Sequence, residues 1–338
     1  MFEYPLIGLA SNRPIPDDAL ARCRALVAAI AAAAPHATDF GRETDWLSPD
    51  GKLAYGGITQ ADLAHFDDAF VRSLRHHCYV FTGYHLRDLI DGTRTPSWTD
   101  AVTGALPDAA AWQDWCVPVH LTQRTLVPAA LLYDPPRIAG EVGFDIDGRC
   151  VNRDVVAYQE RLNLLHEGGV LDRLRALPAP RILEIGGGYG GLAHALTRLL
   201  PGARYTIVDL PSSLMYSGCY LTIAQDSHAV TLGPAPAGDA PTISLVPNHA
   251  AEALRDVRFD LAINTLSFAE MTADVVARYG ALIAATLAPD GQLFEQNFER
   301  YGPDTHFCSP AQVLRPLFPR MRVIGTGWIW GAPRLWSR

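Results

Sequence analysis

From Arg181 onward, short apolar runs alternate with segments whose apolar residues recur every three or four positions. The first run, RILEI, is followed by a segment with Leu192, Ala195, Leu196 and Leu199 on one helical face. Such runs predict buried strands, and their alternation with helices predicts a parallel, doubly wound α/β sheet. The further predicted strands are RYTIVDL, TISLV, FDLAIN and QLFEQN.

The tail of the chain, MRVIGTGWIWGAPRLWSR, shows two extended segments with only a short turn between them. Two consecutive strands with so short a connection must pair antiparallel, because a parallel pair needs a long crossover. The predicted sheet is therefore parallel, with an antiparallel last strand.

The first part of the chain shows no such alternation. ALARCRALVAAIAAAA predicts an alanine-rich helix, and FDIDGRCV predicts a hairpin that turns at Asp147 and Gly148. The stretch 153–177 predicts one amphipathic helix. We therefore expect two domains, a mostly helical one over residues 1–152 and a sheet domain over residues 153–338.

The composition narrows the classes of function. The chain has 338 residues and a net charge of −8, without a run of Lys or Arg, which argues against a nucleic-acid partner. Its six cysteines are scattered and form no C-x-x-C pair, as expected for reduced thiols. No apolar run approaches the roughly 18 residues that a membrane span needs. We expect a cytoplasmic protein without a membrane partner.

The segment LEIGGGYGG fits two cofactor patterns. Its glycines match the dinucleotide fingerprint G-x-G-x-x-G, and with Glu184 they also match E-x-G-x-G-x-G. A carboxylate at this point would repel the pyrophosphate of a dinucleotide, whereas it suits the ammonium group of S-adenosylmethionine. Asp209 ends the next predicted strand, where either cofactor would present its ribose hydroxyls.

Three segments carry a resemblance to a known family. They are RILEIGGGYGGLAHAL, YTIVDLPSSLMYSGCYL and LAINTLSFAEM, and the last contains the pattern N-x-x-S-x-x-E-M from Asn264 to Met271. Together they resemble the bacterial sugar O-methyltransferase family, a branch of the class I S-adenosylmethionine-dependent methyltransferases. The resemblance implies a Rossmann-like methyltransferase sheet, S-adenosylmethionine as cofactor and a small-molecule acceptor.

The same resemblance assigns roles by position. Asp209 would hold the ribose and Leu210 would pack near the adenine. Asn248, directly after the third predicted strand, would contact the adenine, although an Asn there could equally cap the following helix. Asn264 would lie beside the sulfonium. The residues expected at the methionine end of the cofactor are Glu184, Gly186, Gly188 and Gly190.

Methylation of a hydroxyl requires a group that removes its proton. Glu270 is the first candidate, because it follows the fourth predicted strand at the edge where ligands bind in such sheets. His306, in the loop after the fifth predicted strand, is the second. The residues proposed to contact the acceptor are Ser267, Arg124 and Glu141, and no metal ligand set is predicted.

Several alternatives stay open from the sequence. The same fold serves C- and N-methylation of metabolites that are not sugars. An NAD-dependent oxidoreductase is a second class of function, and a non-catalytic scaffold that binds S-adenosylmethionine is a third. The oligomeric state is also open, with a homo-oligomer among the options.

Overall fold

The computed structural model describes residues 4–33, 66–79, 82–83, 109–234, 238–299, 308–325 and 328–338. The described N-terminal part consists of helices with small β elements, as the sequence predicts. Its helices are α1 (Asp17–Ala33), α2 (Asp68–Arg72), α3 (Leu74–His77) and α4 (Ala109–Gln123). Its strands are β1 (Leu6–Ile7), β2 (Cys78–Tyr79), β3 (Thr82–Gly83), β4 (Gly143–Ile146) and β5 (Arg149–Val151).

The predicted hairpin joins β4 to β5. Its two turn residues, Asp147 and Gly148, have φ values of 52° and 80°, so both adopt the left-handed conformation that matches the twist of the flanking strands. The Asp145 carboxylate accepts a hydrogen bond from the Gly148 amide at 2.7 Å. β1 pairs with β4 to complete a three-stranded antiparallel sheet.

The expected single helix over 153–177 is two helices, α5 (Arg153–Glu167) and α6 (Val170–Arg175). Gly168 and Gly169 separate them, and Gly169 has a φ of 73°, a value that breaks a right-handed helix. The periodicity of the apolar residues continues across the break, which is why the sequence pattern alone does not reveal it. Asn152 caps α5 by accepting a hydrogen bond from the Val155 amide at 3.0 Å.

An eight-stranded sheet forms the centre of the C-terminal part. Its strands are β6 (Arg181–Ile185), β7 (Arg204–Asp209), β8 (Ala229–Leu232), β9 (Thr242–Pro247), β10 (Phe259–Thr265), β11 (Leu287–Asn297), β12 (Arg320–Val323) and β13 (Ala332–Ser337). The helices that follow its strands are α7 (Gly191–Leu199), α8 (Pro211–Ala224), α9 (Ala273–Thr286) and α10 (Pro310–Leu314). Two 3₁₀ helices, Asn248–Leu254 and Ser267–Glu270, follow β9 and β10.

The strand order is β12-β13-β11-β10-β6-β7-β9-β8. Neighbours from β11 to β8 are parallel, and β13 runs antiparallel to both β11 and β12. The parallel sheet with an antiparallel last strand is thus confirmed. The sequence analysis does not predict β8, which is a four-residue edge strand whose side chains are exposed or only half-buried.

Both faces of the sheet are covered. Alternate strand residues enter two separate cores, with Ile182 and Ile207 on one face and Leu183 and Val208 on the other. This division explains why the strands are apolar throughout instead of alternating with polar residues.

The N-terminal helix α1 packs on α8 of the sheet. Leu20 and Cys23 belong to the same core cluster as Tyr216 and Leu221, and the Cys23 thiol lies 3.7 Å from the carbonyl oxygen of Cys219. Residues from both sides of position 152 therefore share one core, and the proposed boundary at that position stays a prediction. Among the described helices, none combines the length and the apolar character that crossing a bilayer would require.

Candidate functional site

Four neighbouring parallel strands place their carboxyl ends along one edge of the sheet. The glycine loop at 186–190 follows β6, Asp209 ends β7, and Asn248 follows β9. Leu266, Ser267 and the 3₁₀ helix that Ser267 begins follow β10. Ligands of open α/β sheets bind at this edge, so the fold gathers here most of the residues that the sequence singled out.

The glycine loop needs its glycines for two physical reasons. Gly186, Gly188 and Gly190 have φ values of 75°, 55° and 89°, a conformation that side chains disfavour. At two of these positions there is also no room for a side chain. A Cβ atom on Gly186 would overlap the Ser267 hydroxyl, and one on Gly190 would lie 2.8 Å from Cδ1 of Leu221.

Asp209 holds the loop from the neighbouring strand. One oxygen of its carboxylate accepts a hydrogen bond from the Gly188 amide at 3.0 Å, and the other accepts one from the Leu210 amide at 2.7 Å. Burial raises the pKa of Asp209 to about 6, although these amide hydrogen bonds oppose the shift. Leu210 is half-buried and directly precedes α8.

Glu184 lies below the loop and is only 2% exposed. The Tyr205 hydroxyl donates a hydrogen bond to its carboxylate at 2.9 Å. Burial raises the pKa of Glu184 to about 7, against the opposing effects of the Tyr205 hydrogen bond and the Arg161 charge. A buried carboxyl group that titrates near neutral pH beside a ligand-binding loop is typical of functional sites.

Asn264 ties the loop after β10 to the end of β6. Its amide nitrogen donates to the Ile185 carbonyl at 2.9 Å and to the Ser267 hydroxyl at 2.6 Å. Its amide oxygen accepts from the Phe268 amide at 3.2 Å and from the Asn297 side chain at 2.9 Å. The side chain is fully buried and held by the protein itself, so Asn264 and Ser267 brace the segment behind the glycine loop.

Leu266 is a feature of the site that the sequence pattern does not indicate. Its φ of 68° lies in the left-handed region, which is rare for a residue with a branched side chain, and its amide donates to the Gln296 carbonyl at 2.9 Å. Strain of this kind costs about 1–3 kcal/mol and clusters at functional sites. No residue type in the sequence signals it, because glycine or asparagine is the usual residue at such a φ.

Asn248 is 2% exposed and immediately follows β9. Its amide nitrogen has no hydrogen-bond partner in the part of the chain that the structure describes. The N-cap of the 3₁₀ helix that follows is Pro247, and no side chain caps it. The capping role left open for Asn248 is therefore excluded, and a buried donor remains that a ligand could satisfy.

The remaining predicted site residues are less closely grouped. Glu270 is half-buried and ends the 3₁₀ helix that begins at Ser267. Glu141 lies instead in a buried ion pair with Arg75, at 2.7 Å. Arg124 forms a surface ion pair with Asp147 of the β4–β5 turn, at 2.6 Å. The second base candidate, His306, lies outside the described residues.

Similar solved structures include the mitomycin 7-O-methyltransferase MmcR, at 18% identity over 54% of this chain and 55% of that one, with a TM-score of 0.34. They also include the T. thermophilus 16S rRNA N2 G1207 methyltransferase, at 23% identity over 52% of this chain and 42% of that one, with a TM-score of 0.36. For human N-acetylserotonin methyltransferase, the values are 16% identity, 54% of each chain and a TM-score of 0.35.

No protein-family model and no curated protein matches the sequence. The match spans about half the length of the solved structures named above. These similarities are low, and the fold of this chain is therefore described by the strand order of its own sheet. That order, parallel with an antiparallel closing strand, is the sheet that the sequence predicts.

We expect Gly186→Ala to destabilise the protein more than Gly148→Ala does. Both glycines have a positive φ, so each alanine costs about 1–2 kcal/mol in backbone strain. Only the Gly186 variant also overlaps a neighbour, since a Cβ on Gly148 would meet nothing within 4 Å. Overpacking adds about 1–3 kcal/mol, measurable as the difference in the free energy of urea unfolding. Equal losses for the two variants would contradict this account of the loop.

We expect the stability contribution of Glu184 to depend on pH. Its pKa of about 7 in the folded protein lies above its ordinary value of about 4.5, so folding takes up a proton between these limits. As the pH rises through that window, the wild type should lose stability relative to Glu184→Gln by about 1 kcal/mol per pH unit.

The comparison with Glu184→Gln is needed because other groups titrate in the same range. Burial lowers the pKa of His120 and of His194 to about 4, and these shifts make stability rise with pH. Urea unfolding of both proteins at several pH values gives the difference. The matched control is Glu252→Gln, which makes the same substitution at an exposed carboxylate. The prediction is wrong if the difference in unfolding free energy between the wild type and Glu184→Gln does not change with pH.

Proposed function

We propose that this chain is an S-adenosylmethionine-dependent methyltransferase that acts on a hydroxyl group of a small molecule. The observation that carries the proposal is the order of groups along one sheet edge. A buried carboxylate and a left-handed glycine loop lie over β6, a second carboxylate ends β7, and an unpartnered buried amide follows β9 in the part of the chain that the structure describes. These groups match the amino acid, the ribose and the base of the cofactor in turn.

The methionine end of the cofactor fits the residues around the loop. A bound ammonium group near Glu184 would stabilise the ionised carboxylate and lower its raised pKa. The glycines at 186, 188 and 190 permit the left-handed backbone of the loop, and Ser267 and Leu221 occupy the space that side chains at 186 and 190 would need. We assign Glu184 and these glycines to this end of the cofactor.

The nucleoside end fits the next two strands. The Asp209 carboxylate can accept hydrogen bonds from ribose hydroxyls, and the Asn248 amide can donate to a ring nitrogen of adenine. Leu210 offers apolar surface next to Asp209. Glu184 disfavours NAD as the cofactor, because its carboxylate would repel a pyrophosphate at the glycine loop, whereas Asp209 suits the ribose of either cofactor.

When bound, the cofactor supplies a methyl group on a good, neutral leaving group. The protein must then align the acceptor and remove its proton. We assign proton removal to Glu270, which ends the 3₁₀ helix next to the strained Leu266. Asn264 and Ser267 act by fixing this segment against the end of β6.

The identity of the methyl acceptor is the more specific part of the proposal. A sugar or a glycosylated metabolite rests on the family resemblance alone, and C- or N-methylation remains the alternative. Arg124 and Glu141 are already engaged in ion pairs, which makes both less suited to acceptor binding than the sequence suggests. His306 stays a prediction as an alternative base.

The proposal predicts that calorimetry detects binding of S-adenosylmethionine and not of NADH. Asn248→Ala should weaken that binding about tenfold or more, because it removes one hydrogen bond to the base. Glu252→Ala, on the exposed face of the same 3₁₀ helix, is the matched control and should bind as the wild type does. Absence of binding by the wild type would overturn the proposed function.

Glu270→Gln should retain cofactor affinity but lower turnover by at least about tenfold, since general bases contribute about 10²–10⁴-fold to rates. Turnover is measured as release of S-adenosylhomocysteine with a panel of sugars and glycosylated metabolites. Asp274→Asn, an exposed carboxylate near the start of α9, controls for the loss of charge. Normal turnover of Glu270→Gln would shift proton removal to another group, and retained cofactor without turnover on any acceptor would favour a non-catalytic scaffold.

A further inference from the structure

A buried arginine from the N-terminal part lies against the glycine loop. Arg75, in α3, is 6% exposed, and its guanidinium carbon lies 3.9 Å from the centre of the Tyr189 ring. Tyr189 is the residue between Gly188 and Gly190, both of which have a positive φ. This stacking geometry is that of a desolvated cation–π contact. A side chain distant in sequence thus touches the one bulky residue of the loop.

Arg75 is held rigidly in this position. Its Nε donates to Glu141 at 2.7 Å, one Nη donates to Asp154 at 2.9 Å, and the other donates to the Cys78 carbonyl at 2.7 Å. Glu141 is held in turn by the side chain of Asn152, at 2.7 Å. Two carboxylates and a carbonyl orient the plane of the guanidinium. A lysine could not replace it, because its ammonium group is a single point charge without this planar set of donors.

The Tyr189 ring is enclosed on its other sides. Its centre lies 6.0 Å from that of Tyr158 and 4.9 Å from that of Tyr220, both at steep interplanar angles, and its exposure is 2%. Tyr220 belongs to α8, and Tyr158 belongs to α5. The ring therefore occupies a closed socket in which Arg75 forms one wall. A shift of the Arg75 guanidinium would move the Tyr189 ring and, with it, the flanking glycines Gly188 and Gly190.

We propose that Arg75 is a positioning residue for the cofactor loop, and that it couples the N-terminal segment 66–79 to cofactor binding through Tyr189. This inference rests on the proposed function and adds to it a role for a region that no sequence motif explained. Because coupling is reciprocal, an ordered segment 66–79 favours the cofactor-binding form of the loop, and bound cofactor stabilises that segment.

A double-mutant cycle in cofactor affinity tests the coupling, measured by calorimetry at a temperature where circular dichroism shows every variant folded. Arg75→Lys and Tyr189→Leu should each weaken S-adenosylhomocysteine binding about tenfold. The double variant should also bind about tenfold more weakly, instead of the roughly hundredfold expected for independent effects. Tyr189→Phe keeps the ring and should bind like the wild type.

Arg72→Lys is the matched control, because Arg72 lies in the preceding helix and pairs with Asp17 on the surface. It should leave the affinity for S-adenosylhomocysteine unchanged.

A second measurement needs no substitution. Amide hydrogen exchange in residues 66–79 of the wild type should slow when S-adenosylhomocysteine is added, even though the proposed ligand groups lie on other segments.

The outcomes separate this inference from the function on which it rests. If the wild type binds the cofactor but the cycle is additive, or Arg75→Lys binds within twofold of the wild type, the positioning role is wrong. Unchanged exchange in 66–79 on binding also overturns that role, even where the variants fail to fold. If the wild type does not bind the cofactor at all, the proposed function fails and the inference falls with it.

Discussion

The left-handed backbone of the glycine loop is the constraint on which the rest of the site depends. Three positive φ values between Gly186 and Gly190 turn the chain sharply from β6 into α7 and direct backbone groups towards the carboxyl edge. Glycine removes the steric penalty of that conformation but does not select it. Selection comes from outside the loop, where Asp209 binds the Gly188 amide and the Ser267 hydroxyl fills the space beside Gly186.

The groups that hold the loop also lower the stability of the protein. Glu184 is buried and Asp209 is half-buried, and both have raised pKa values, so each carboxylate resists ionisation at the edge of the sheet. Leu266 adds backbone strain at the end of the adjacent strand. Such costs persist where function needs them, because a ligand that pairs with the carboxylates recovers part of the free energy. The concentration of three unfavourable features at one edge supports the proposed site more strongly than any one of them does.

Much of the fold can be predicted because it is encoded locally. Apolar runs indicate the strands of the central sheet, and the short turn in the tail indicates the antiparallel strand. The secondary-structure prediction fails where the local sequence pattern gives no signal. β8 has only four residues at the edge of the sheet, and the helix break at Gly169 interrupts the backbone without interrupting the apolar periodicity. In the site, residue type alone favours Glu141 and Arg124 as acceptor contacts, which stays a prediction, and the structure adds that each forms an ion pair.

The sequence by itself determined the strand pattern, the glycine loop and the carboxylates at Glu184 and Asp209, because spacing along the chain fixes what a strand end and its turn present. Only the tertiary structure decided that Asn248 keeps a buried amide without a described partner and that Arg75 stacks on Tyr189. Both facts depend on contacts between segments far apart in the chain, and hydrogen bonding and burial at such contacts have no local signature.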